Sequence, residues 1–177
     1  MTDTADKLAI IDKIHLYTHA IDRRRWEIMD HLFTEDGEFK FGGIQGPWRD
    51  FIGQARAVID PMTSTHHQIG NILINLDKDI AHVESYLTAT HILPSDYPDD
   101  RPYPGIGRPY VVTVGGRYID VFQKQDDDWR IKRRTGLYDW RADSELRDGG
   151  LSEGPTDAVG KTDDEDPSTP VTRHWRV

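Results

Sequence analysis

The chain has 177 residues, enough for one domain of ordinary size with a single core. Its formal charge is −9, and residues 142–177 account for −5 of it through nine acids against four basic residues. Phosphate binding needs a basic surface, so nucleic acid is an unsuitable partner. The sequence has no cysteine, which excludes disulfides, thiolate nucleophiles and Cys-type zinc sites.

No stretch reaches the ~18 apolar residues of a membrane span, and the N-terminus lacks the basic-then-apolar order of a signal peptide. A soluble, cytoplasmic protein is expected. In chain order, residues 6–21 place Ile10, Ile14, Tyr17 and Ile21 on one apolar stripe and predict a helix. A shorter helix follows, with Asp22 as its cap, Trp26, Met29 and Phe33 as its inner face, and "TEDGEF" as its closing turn. Phe39 and Phe41 read as a short strand. Residues 50–60 read as a third helix with Phe51, Ala55 and Val58 inward.

From His66 the period changes to two. "HHQIGNILINL", the turn "DKD" and "IAHVESYLTATHIL" predict a hairpin. In its second strand Ala81, Val83, Ser85, Leu87, Ala89, His91 and Leu93 share a face, so His91 points with the apolar set. Residues 94–110, with five prolines and two glycines, form a long loop and a candidate lid. Two further strands, "YVVTVGGRYIDVFQKQ" and "WRIKRRTGLYDW", flank the turn "DDD". Residues 1–140 thus form one domain, and 141–177 an acidic Gly/Pro-rich tail, disordered or draped over this domain or a neighbouring subunit.

Helices first and a meander afterwards predict an α+β domain: N-terminal helices packed on a strongly curved, mainly antiparallel sheet that leaves a conical cavity. Gly115-Gly116 would let the third long strand bend or bulge. A half-open barrel of this kind suits a small hydrophobic ligand.

"YTHAID", "RRWEIMDHLFTEDGEF", "THHQIGNILI", "AHVESYLTA" and "GRYIDVFQKQDDDWRIKRRT", in this order, resemble the SnoaL-like branch of the nuclear-transport-factor-two-like superfamily. Within it the chain is most similar to the group of scytalone dehydratase, bile-acid dehydratase and hexachlorocyclohexane dehydrochlorinase. The resemblance implies catalytic roles for Tyr17, Asp22 and His67, with His67 preferred to His66 because "HQIGN" fits the family's histidine-to-asparagine spacing. It also implies a second pocket histidine at His91, and assembly as a homo-oligomer, a trimer in preference to a dimer.

The chemistry has its own logic. An imidazole accepts a proton near neutral pH, and a carboxylate bonded to one ring nitrogen fixes the tautomer that exposes the other. Asp22 would orient His67, the base, while Tyr17 donates a hydrogen bond where charge develops. Capping for Asp22, core packing for Tyr17, and a satisfied core site for His91 are the competing structural roles. Arg134 has the opposite strand parity to Trp129, Ile131 and Arg133, so it either holds a substrate oxygen in the lumen or is a solvated charge. Tyr118 is either a pocket hydroxyl or packed core.

His15 and His19 are four apart, a zinc-pair spacing, but lie off the apolar stripe and are expected to face solvent. No metal and no cofactor is expected, and no phosphate loop or nucleophile elbow is present. The expected function is a cofactor-independent lyase that removes a proton from a hydrophobic, aromatic or polycyclic small molecule with loss of water, halide or a one-carbon aldehyde. The alternatives are an isomerase using the same base, a non-catalytic small-molecule binder, or the small subunit of a ring-hydroxylating dioxygenase.

Overall fold

The computed structural model describes residues 3–100, 102–146 and 159–175. Helix α1 (Asp3–Asp22) starts with Asp3 and Asp6 in its first turn, where acids complement the helix dipole. It buries Ile10, Ile14, Tyr17 and Ile21, the stripe expected from the sequence. A short 3₁₀ helix (Trp26–His31) leads into β1 (Phe33–Phe41), and a hairpin through β2 (Ile44–Pro47) leads to α2 (Trp48–Ile59). The long strands β3 (Ser64–Asp77), β4 (Ile80–Leu93), β5 (Tyr110–Gln125) and β6 (Asp128–Glu145) follow. A final single-turn helix α3 (Thr169–Thr172) and a 3₁₀ turn (Arg173–Trp175) close the described chain.

The six strands form one curved, unclosed sheet in the order β2-β1-β6-β5-β4-β3. All neighbours are antiparallel except β1 and β6. The β5–β6 turn has Asp126 and Asp127 both at positive φ, 50° and 63°, the geometry that two-residue hairpins need and that aspartate tolerates. The register shifts where Gly115 and Gly116, the pair expected to bend or bulge, face Trp140 and Tyr138, so the extra residue, Asp139, lies on β6 opposite them. Trp129 donates its indole N–H to Asp6 at 2.8 Å, fastening the start of α1 to the sheet. Among the described residues, no helix is long and apolar enough to cross a membrane.

Two local expectations are corrected. "TEDGEF" is strand rather than turn: Phe33 begins β1, and its pairing with β6 shifts register between Phe33 and Glu38, so the acidic residues form a bulge. Beyond it Gly37 and Phe39 are buried while Glu38 and Lys40 are exposed, a clean alternation. The final strand also continues past Trp140 to Glu145.

Of the acidic tail, residues 147–158, 176 and 177 lie outside the described residues. Residues 159–175 lie across the end of α1. Arg23 donates to the Lys161 carbonyl at 3.3 Å and Arg25 to that of Thr162 at 3.2 Å, while Trp175 packs against Lys13, with Nζ 4.7 Å from the ring centroid.

A Cβ on Gly116 would lie 2.2 Å from the Leu137 carbonyl oxygen, whereas nothing lies within 4 Å of one on Gly43. Gly116→Ala is expected to cost about 1–3 kcal/mol in urea unfolding, as overpacking does. Gly43→Ala in the same assay leaves the midpoint unchanged, and equal behaviour of the two variants would contradict this view of the bend.

Candidate active site

Asp22 stands in the last turn of α1, the end of a helix where a negative charge is disfavoured by the dipole. The helix ends in a Schellman motif: Arg24 N–H bonds the Ile21 carbonyl at 3.2 Å and Arg25 N–H the Ala20 carbonyl at 2.8 Å. Arg24 takes the left-handed position, φ 56°, that glycine usually fills. Its guanidinium offsets that strain by donating to the Ile21 and Ile59 carbonyls at 2.7 and 3.0 Å and to the Thr65 hydroxyl at 2.9 Å. The following 3₁₀ helix has Arg25, not Asp22, at its N-cap, with no side-chain cap bond. The capping role expected of Asp22 is therefore corrected.

Its carboxylate instead reaches across to β3. Oδ1 lies 2.7 Å from Nδ1 of His67 and accepts the Thr65 hydroxyl at 2.9 Å, while Oδ2 accepts the His67 backbone N–H at 2.8 Å. Thr65 and His67 are two apart on a strand and so face the same way. Burial acts to raise the Asp22 carboxyl. The His67 ring, its charged form, and the backbone and Thr65 donors outweigh it and hold the carboxyl below its usual range. With Nδ1 committed to the carboxylate, Nε2 is the ring nitrogen left for a molecule beside it.

His67 forms part of the wall of a cavity of about 370 Å³ between the concave sheet and the helices. Aromatic and aliphatic side chains, among them Trp26, Phe39, Phe51, Leu87 and Val114, make most of that wall. Phe51, Ala55 and Val58 of α2 also face it, as their spacing predicts. His91 lies edge-on to His67, with ring centroids 5.3 Å apart. It is 3% exposed, and its Nδ1 is buried without a hydrogen-bond partner. Burial first, and the neighbouring His67 second, pull its pKa down to about 3, so this ring stays neutral beside its partner.

Tyr17 and Tyr118 line another part of the cavity with rings 5.7 Å apart. Burial raises both phenols, keeping them as hydrogen-bond donors. Arg134 does not line the cavity and is not solvated, so both readings of it are corrected. It is fully buried, donates to Asp120 at 2.8 and 2.7 Å, and lies 4.1 Å from the Tyr17 and 4.3 Å from the Tyr118 ring centroid. A register shift on β6, where Phe122 faces Ile131 and Val121 faces Arg133, turns Ile131 and Arg134 to the same side. The buried pair thus backs the two tyrosines.

Four predicted residues, Tyr17, His67, His91 and Tyr118, therefore line one cavity; Asp22 stands behind His67 and Arg134 behind the two tyrosines. Sequence reasoning missed Thr65, Arg24, Tyr103 and Tyr138. Thr65 was within reach of it, because it lies two residues before His67 on the strand. Tyr103 and Tyr138 line the cavity as well, from the candidate lid and from β6. His15 is exposed, as expected, but His19 is half-buried. Among the described residues no group of three or more His, Asp or Glu side chains could hold a metal ion.

Comparison with known proteins gives a consistent result. The SnoaL-like domain profile matches residues 2–135. An uncharacterized protein of Mycobacterium tuberculosis (strain H37Rv) is 27% identical over 138 residues, which is 76% of this chain and 86% of that protein. The crystal structure of a provisionally assigned scytalone dehydratase from Novosphingobium aromaticivorans has a TM-score of 0.65 at 26% identity, covering 83% of this chain and 94% of that one. The hexachlorocyclohexane dehydrochlorinase LinA-type3 from Novosphingobium barchaimii has a TM-score of 0.65 at 14% identity, covering 80% and 91%, a likeness of fold.

The neutral His91 has a sign-defined consequence. The unfolded chain binds a proton at histidine below 6.5, whereas the folded one refuses it down to about 3. Stability is therefore lost as pH falls through that window, with a slope of up to about 1.4 kcal/mol per pH unit. Urea unfolding at a series of pH values is expected to show a shallower acid loss for His91→Gln than for the wild type. Parallel profiles would contradict it.

Proposed function

Because this chain belongs to the SnoaL-like domain family and sets a carboxylate-bonded imidazole into an apolar cavity, we propose that it is a cofactor-independent lyase acting on a hydrophobic small molecule. The 2.7 Å contact between His67 and Asp22 carries this reading. His67 is the general base: Nε2 takes a proton from an activated C–H. Asp22 fixes the tautomer and stabilises the imidazolium that forms. Asp22 is also tied at a second point, the His67 backbone, so the ring and its partner move as one unit.

His91, neutral and adjacent, adds no charge that would oppose protonation of His67. Tyr17 and Tyr118 supply donors elsewhere on the wall, and Arg134 with Asp120 holds those phenols in place from behind. Two structurally similar proteins are named for a dehydration and a dehydrochlorination. Loss of water or of halide both fit a single base facing an apolar wall. An isomerase is the second reading: a base in a largely apolar cavity can return its proton to another carbon. Deuterium incorporated from heavy water into a rearranged product, with no fragment lost, identifies it.

Assembly as a homo-oligomer, a trimer first, belongs to the same proposal. It is supported by Leu73, Tyr86 and Trp140, which are 64%, 43% and 50% exposed on a sheet surface that no helix covers among the described residues.

The base can be tested without the natural substrate. Nitrobenzisoxazole is a compact aromatic whose C–H proton is removed as its N–O bond breaks, giving a coloured phenolate. His67→Ala is expected to lower turnover of this probe by about 10²–10⁴-fold, the usual worth of a general base, and Asp22→Asn to lower it in the same direction. Both variants must retain the wild-type circular dichroism. Folded variants that keep wild-type turnover would contradict His67 as the base, and a wild type without turnover would favour a binding protein instead.

A further inference from the structure

The Thr65 hydroxyl is held between two groups that fix its direction. Thr65 is 2% exposed, so solvent does not compete for it. On one side Arg24 Nη1 donates to its oxygen at 2.9 Å, and on the other that oxygen lies 2.9 Å from Oδ1 of Asp22. A guanidinium offers only donors and an ionised carboxylate only acceptors. The one hydroxyl proton therefore points at Asp22. Turning it away would strip a donor from a buried charge and face the proton to a cation.

Both ends of this bridge are anchored. Thr65 is β-branched and lies on β3 opposite His91 of β4, so the strand sets its rotamer and its face. Arg24 also bonds the Ile21 and Ile59 carbonyls, at the ends of α1 and α2, and its Nε lies 3.7 Å from Asp60. Asp60 accepts the indole N–H of Trp26, part of the cavity wall, at 3.0 Å. Among the described residues no hydrogen bond or ion pair joins Arg24 to Asp22 directly, so Thr65 is the link between them.

What the hydroxyl does to Asp22 follows from the contacts of the carboxylate. Oδ1 serves two donors, the Thr65 hydroxyl and the His67 ring, and Oδ2 serves the His67 backbone N–H. The hydroxyl draws charge from the oxygen that faces the imidazole and weakens its hold on a ring proton. Without it that oxygen would turn its full charge on His67 and favour the protonated ring. A base that is already protonated accepts nothing, so its basicity must be restrained as well as supported.

We propose that Thr65 is a positioning residue of this site: its hydroxyl, aimed by Arg24, tempers the hold of Asp22 on His67 and keeps the ring available to accept a proton. This role rests on His67 being the base. The ionisable groups around the ring are Asp22 and Arg24 at the end of α1, Asp60 after α2, His91 on β4, Tyr103 of the loop and Arg141 on β6. Histidine alone among these types titrates near neutral pH, and His91 stays neutral down to about 3. A titration of this cluster near neutral pH therefore belongs to His67.

Nitrogen-15 NMR of histidine-labelled protein follows the His67 ring through pH without substrate. Its midpoint is expected to rise by about 0.5–1 on the pH scale in Thr65→Val, which keeps the shape and loses the hydroxyl, and to stay at the wild-type pH in Thr65→Ser. Arg24→Met is expected to raise it more in the Thr65 protein than in the Thr65→Val background, since part of its effect passes through the hydroxyl. Should Thr65→Val fail to fold, Thr65→Ala against Thr65→Ser decides the same point. A Thr65→Val midpoint at or below that of the wild type, a Thr65→Ser midpoint displaced as far, or an Arg24→Met shift equal in both backgrounds would overturn the proposal. The acid limb of nitrobenzisoxazole turnover is expected to move with the midpoint. If the midpoint shifts as expected while that limb stays, the role of Thr65 stands and the base assignment falls.

Discussion

A carboxylate at the wrong end of a helix is the constraint around which this site is built. In the last turn of α1 Asp22 gains nothing from the helix dipole. What holds it charged is three donors from β3: the Thr65 hydroxyl, the His67 backbone N–H and the His67 ring. Those bonds join the first helix to the edge strand of the sheet, and they also choose which nitrogen of His67 meets the cavity. One contact set therefore serves both architecture and chemistry. Arg24 belongs to it, since its left-handed backbone ends the helix in the right place and its side chain orients the Thr65 hydroxyl.

The sheet provides the complement. It curves without closing, so the space under α1 and α2 is left as a cavity with a mostly apolar wall and a few convergent polar groups. Low polarity inside it has opposite effects on its members. In the proposed reaction it would strengthen the ion pair between Asp22 and a protonated His67, and it keeps His91 and the tyrosines neutral. The buried Arg134–Asp120 pair is charged yet faces no ligand. Its place behind Tyr17 and Tyr118 suits support, because removing one partner of such a pair leaves an uncompensated charge in the interior.

Periodic features were legible in the sequence because one physical rule governs each. The Ile10–Ile14–Tyr17–Ile21 stripe and the alternation of Ala81 to Leu93 both emerge as read. Failures came where the period breaks. Arg134 was misplaced because an irregularity on β6 reverses its parity, and no residue type announces that shift. "TEDGEF" has the composition of a turn, but pairing with β6 makes it a bulged strand. Tyr103 and Tyr138 are 35 residues apart, and only folding of the Pro-rich loop brings their hydroxyls together.

Nitrogen-15 NMR of histidine-labelled protein tests the central pair most directly, since it reports which ring nitrogen carries the proton in the neutral imidazole. An ordered Asp22–His67 unit predicts Nδ1 protonated and Nε2 bare in the wild type, with that preference lost in Asp22→Ala. A His67 ring protonated on Nε2, or one indifferent to the loss of Asp22, would contradict it.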